Sequence, residues 1–116
     1  MAVPANCISE QKARELHDNW VATREPAIKQ ALGDFDTREF VFSVAELEEF
    51  LQYIKDESGG ILNPGVRIYF AAYKGENNDK ATVFLSPTKG PNKDSDDNYG
   101  LKSLNFVGGG WPPKSY

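Results

Sequence analysis

The chain has 116 residues, 40% of them hydrophobic, and a net charge of -4 from 13 basic and 17 acidic residues. That length fits one domain over residues 1–116 with a single core, and the lone Cys7 leaves no intramolecular disulfide to staple it. Dispersed Lys and Arg under a negative charge argue against nucleic acid as a partner, one Cys with one His cannot supply a zinc site, and no apolar run reaches the roughly 20 residues of a membrane span. The start MAVPANCISEQK lacks the basic head and apolar stretch of a signal peptide, so a cytoplasmic location is expected.

In chain order, Ser9 is placed to cap a helix running through ISEQKARELHDNWVATR, whose Ala13, Leu16, His17, Trp20 and Val21 fall on one stripe. On that stripe His17 reads as a half-buried histidine with one hydrogen bond, not as a catalytic group. A second short helix starts at Pro26 and stops at Gly33, because proline suits a first turn and glycine a left-handed end. REFVFS, residues 38–43, is a short β-prone run.

SVAE then spells a capping box, Ser43 with Glu46. Behind it Val44, Leu47, Phe50, Leu51 and Ile54 share roughly 120° of helical arc, and Gly59-Gly60 ends the helix. Pro64-Gly65 is read as a type II turn with positive φ at the glycine. It launches VRIYFAAY, in which Val66, Ile68, Phe70 and Ala72 face one way and Arg67, Tyr69, Ala71 and Tyr73 the other. This strand is expected to be central and covered on both faces, one by the helix after Ser43, the other by the N-terminal helices or a second subunit. KATVFLS is a further strand, closed by Pro87.

Residues 87–100, PTKGPNKDSDDNYG, carry almost nothing apolar and read as an exposed or disordered loop. LKSLNFV returns as a last edge strand before a glycine- and proline-rich tail over 108–116. The order predicts an α+β fold: a small three- to four-stranded mixed or antiparallel sheet packed by about three helices, two of them N-terminal and one between the first two strands. The strands near 40 and 66 are expected to lie parallel through a crossover, and those near 66 and 81 to form a hairpin.

Several specific activities fail on spacing. GGGWPPKS, residues 108–115, approaches the phosphate loop G-x-x-x-x-G-K-[ST], but Pro113 stands where a glycine must precede Lys114, and no helix follows to face the phosphates. DSDDNYG suggests calcium at Asp94, Asp96 and Asn98, yet Tyr99 replaces the sixth-position glycine and Asn105 the twelfth-position glutamate of an EF-hand, so calcium is not expected. No catalytic, cofactor-binding or metal-ligating residue can be assigned, and no nucleophile sits in a recognisable setting.

What remains is the strand face of Arg67, Tyr69 and Tyr73, which could stack a planar or anionic ligand, and Trp111, carried on a tail that bends before it and stiffens after it. VRIYFAAY, TVFLSPT and LNFVGGGWPP resemble, over residues 40–113, a family of short uncharacterised bacterial proteins; the resemblance implies a bacterial intracellular domain and lends no activity or site residue. Two functions stay open. The first is a non-enzymatic cytoplasmic module binding a protein partner or a second copy of itself. The alternative is a small-molecule binder or enzyme with a pocket between Arg67, Tyr69, Tyr73 and Trp111.

Overall fold

A computed structural model describes residues 2–106 and 113–116 of the chain. The fold is α+β, with three helices and a three-stranded antiparallel sheet among the described residues. The chain divides into two compact units, residues 1–36 with 111–116, and residues 37–110, and each is described on its own.

The first unit is a helical pair. Helix α1, Glu10–Thr23, begins where the Ser9 hydroxyl accepts the Lys12 amide at 3.1 Å. Helix α2, Glu25–Leu32, carries proline in its first turn and ends at Gly33, whose φ of 79° is the left-handed conformation glycine adopts without a Cβ penalty. His17 Nδ1 donates to Asp18 Oδ1 at 3.1 Å. The last residue, Tyr116, lies against α1: Arg14 Nη1 donates to its main-chain oxygen at 2.6 Å, and the guanidinium sits over its ring.

The second unit holds the sheet. Helix α3, Val44–Glu57, starts where Ser43 Oγ accepts the Glu46 amide at 3.0 Å, and buries Phe50 and Ile54 from its apolar stripe. At its end Ser58 Oγ donates to the Ile54 carbonyl at 2.5 Å, and Gly59 turns the chain with φ of 61°. Strand β1, Gly65–Ala72, pairs antiparallel with β2, Ala81–Thr88, which pairs in turn with the short β3, Leu104–Asn105.

The core gathers Phe50 and Ile54 of α3 with Val83 and Leu85 of β2, and Leu104, Phe40, Phe42, Leu47 and Tyr53 pack around it. Each fully buried aliphatic or aromatic side chain in such a cluster contributes about 1.5–3 kcal/mol. Register puts Val83 opposite Phe70 and Leu85 opposite Ile68, so β1 and β2 share one apolar face. The helix side chains meet that face over β2, not over β1.

Four local expectations are corrected. VRIYFAAY is not central, because the sheet order β1-β2-β3 makes it an outer strand. Gly65 has no positive φ and belongs to β1; glycine is needed there because a Cβ would meet Thr88 Oγ1 at 2.6 Å and the Gly90 carbonyl at 2.7 Å. Pro87 does not close β2, which runs on to Thr88. The Tyr73 amide donates to the Lys80 carbonyl at 3.0 Å, which fixes the ladder: even-numbered residues of β2 face β1, and the donor Pro87 lacks points the other way. Finally, residues 38–43 carry no strand assignment, and the described pairings are all antiparallel, so no parallel crossover forms there. Phe40 and Phe42 instead set their rings edge-on to Phe106.

Candidate docking edge

The two faces of β1 differ in what covers them. Arg67, Tyr69 and Ala71 are half-buried, while Val66, Ile68 and Phe70 are exposed by 36%, 64% and 87%. The inversion follows from tertiary packing, since α3 covers β2 and the 87–100 segment folds over the polar side of β1.

That segment is held by its backbone. Lys89 donates to the Asp96 carbonyl at 2.8 Å and Asn98 to the Pro87 carbonyl at 2.9 Å, bracketing an antiparallel bridge between Thr88 and Asp97. The bridge delivers the Asp97 carboxylate to β1, where Arg67 Nη1 donates to Oδ1 at 2.7 Å and the Tyr69 hydroxyl donates to Oδ2. Arg67 Nη2 also donates to the carbonyls of Lys93 and Ser95, at 3.0 and 2.8 Å. The Tyr69 ring stacks on Phe84 with centroids 5.0 Å apart.

The network shifts both ionisations. The hydrogen bond to Asp97, followed by loss of solvent, holds the Tyr69 phenol above its ordinary range, with Arg67 pulling the other way. Arg67 is pushed upward by its interaction with Tyr69 first; desolvation opposes this, and Asp97 adds to it.

The residues singled out from sequence are therefore only partly brought together. Arg67 and Tyr69 share one carboxylate, whereas Tyr73, past the end of β1, donates to the Phe106 carbonyl at 3.5 Å and receives Asn105 Nδ2 at 3.4 Å. Trp111 lies outside the described residues. A shallow pocket beside Arg67, lined by Gly65, Val66, Thr88 and residues 90–93, holds about 180 Å³, below the 300–1,000 Å³ of ordinary ligand sites.

The acidic loop does not converge on a cation. Asp94 is met by Lys93 Nζ, and Asn98 Oδ1 accepts the Gly100 amide at 3.1 Å. Among the described residues no group of three or more His, Cys, Asp or Glu could hold a metal, and no helix is long and apolar enough to cross a membrane.

Sequence reasoning missed Asp97 and the edge itself. A signal for the first was present: Arg67 is the sole charge in an apolar strand, and a half-buried guanidinium needs an acceptor. The edge follows from the same ladder that explains Pro87. Odd-numbered residues of β1 turn their N–H and C=O groups to β2, so Val66, Ile68, Phe70 and Ala72 present theirs outward, along with their exposed side chains.

The chain matches no protein-family model, no curated protein and no solved structure.

Proposed function

We propose that this chain is a small non-enzymatic docking module, and that the outer edge of β1 is its binding element. One observation carries the reading: an eight-residue outer strand with outward backbone groups and exposed Val66, Ile68 and Phe70. Natural edges are blunted by lysine, proline, bulges or short length, and β1 has none of these. Strand addition would satisfy its backbone donors and acceptors, and the apolar row would supply the side-chain contacts. The alternative of a small-molecule pocket among Arg67, Tyr69, Tyr73 and Trp111 has less support, because Arg67 and Tyr69 spend their polar groups on Asp97.

A photo-crosslinking residue in place of Phe70, expressed in cells, tests the reading. A discrete protein adduct that disappears when Ile68→Lys is added is the expected result. Failure to trap any protein from position 70 or position 66 would overturn it.

A further inference from the structure

We infer that the occupant of the β1 edge is a second copy of this chain, paired antiparallel about a two-fold axis that passes between the two Ile68 residues. This deepens the docking reading and rests on it. The outward residues of β1 are even-numbered, so a hydrogen-bonded ladder between two copies must join even residues to even residues. Such a register keeps Val66, Ile68 and Phe70 of both copies on one face of a continuous sheet.

Within that family of registers, one matches the apolar row to itself. With Ile68 opposite Ile68, Val66 of each copy meets Phe70 of the other, and all three exposed side chains gain apolar partners. A slip of two residues sets Val66 against Ala72 and loses one of these matches.

Charge permits the same register. The one ionic residue of β1 is Arg67, which lies on the opposite face, is neutralised by Asp97, and would stand across from Tyr69 and not from its own copy. No like charges oppose one another along the strand, despite the -4 charge of each chain. Eight residues a side is well short of the roughly 20–30 of a standard stable interface, so the dimer should be reversible and dissociate on dilution.

The axis gives a specific test on the full chain. Ile68→Lys and Ile68→Glu each place two like charges face to face at the centre, at a site 64% exposed where the fold should tolerate them. In sedimentation experiments the wild type is expected to shift from monomer to dimer as concentration rises. Each variant should dimerise at least about tenfold more weakly, and an equimolar mixture of the two should recover the dimer. Circular dichroism of each variant checks that it remains folded. Phe70→Lys, at a still more exposed position, provides a second variant that should weaken the dimer.

A wild type that stays monomeric to millimolar concentration overturns the self-pairing. So do charge variants whose mixture fails to recover the dimer. If position 70 still traps a different protein in cells, self-pairing falls and the docking reading stands; if it traps nothing, both fall.

Discussion

Asp97 Oδ1 accepts Arg67 Nη1 at 2.7 Å across 30 residues of chain, and this ion pair pins a polar loop to a strand. Its two side chains are 26% and 10% exposed, so the pair sits between the nearly worthless exposed ion pair and the costly buried one. The main-chain carbonyls that Arg67 also holds make it a clamp on the loop as much as a partner of one carboxylate.

Asp97→Asn should therefore loosen the loop without unfolding the sheet. The Lys89 and Asn98 amides, which flank the bridge, should exchange with solvent about tenfold faster, as expected for loss of a charge-assisted hydrogen bond. Asp94→Asn, at a residue whose side chain is 84% exposed, should leave both rates unchanged. Hydrogen exchange read by mass spectrometry or NMR decides between these outcomes.

The same network sets an alkaline limit. Because Tyr69 holds its proton more tightly folded than unfolded, the unfolded chain is the first to release it as pH rises past the ordinary phenol value of about 10. The native state then binds more protons, so the stabilisation is fully present below that value and is lost as pH climbs through the raised folded value. Denaturant midpoints should fall above about pH 10 in the wild type, and fall less steeply in Tyr69→Phe.

Gly65 and Gly60 should respond in opposite directions to alanine. At Gly65 the new Cβ meets a backbone carbonyl at 2.7 Å and a buried threonine oxygen at 2.6 Å, an overpacked contact worth about 1–3 kcal/mol of destabilisation. At Gly60 nothing lies within 4 Å, so lower entropy of the unfolded chain should make alanine neutral or stabilising by up to about 1 kcal/mol. Urea denaturation of both variants measures the difference.

Two isoleucines on neighbouring elements provide the sharpest contrast. Ile54→Ala, at a side chain 3% exposed, should cost about 2–5 kcal/mol through lost burial and a cavity. Ile68→Ala at low protein concentration should cost under about 1 kcal/mol, because the side chain is 64% exposed.

The parts of this fold visible in sequence were those set by neighbours along the chain. Ser43 before a stripe of Leu47, Phe50 and Ile54 announces α3, and the alternation of VRIYFAAY announces a strand with two different faces. Alternation cannot say which face is covered, since that depends on where α3 lands and on strand order, both long-range facts. Val66, Ile68 and Phe70 have the pattern of a buried row and are exposed because the helix settles over Val83 and Leu85. Composition marks 87–100 as a mostly exposed loop, but it cannot show that backbone bonds to β2 and the Asp97 carboxylate on a distant arginine hold it against the sheet. The usual turn roles of proline and glycine do not apply at Pro87 and Gly65, because ladder phase places the first and a close approach of Gly90 requires the second.

The divided faces of β1 also reverse the usual pattern of mutational tolerance in a strand. If every position from 66 to 71 were randomised and scored only for cellular abundance, the polar Arg67 and Tyr69 should be the intolerant sites, since they carry the loop. The apolar Val66, Ile68 and Phe70 should accept serine or threonine at little cost to folding. Scored for association, the same library should show the opposite alternation. On the proposed docking reading, the strand separates residues that keep the molecule folded from residues that select what it binds.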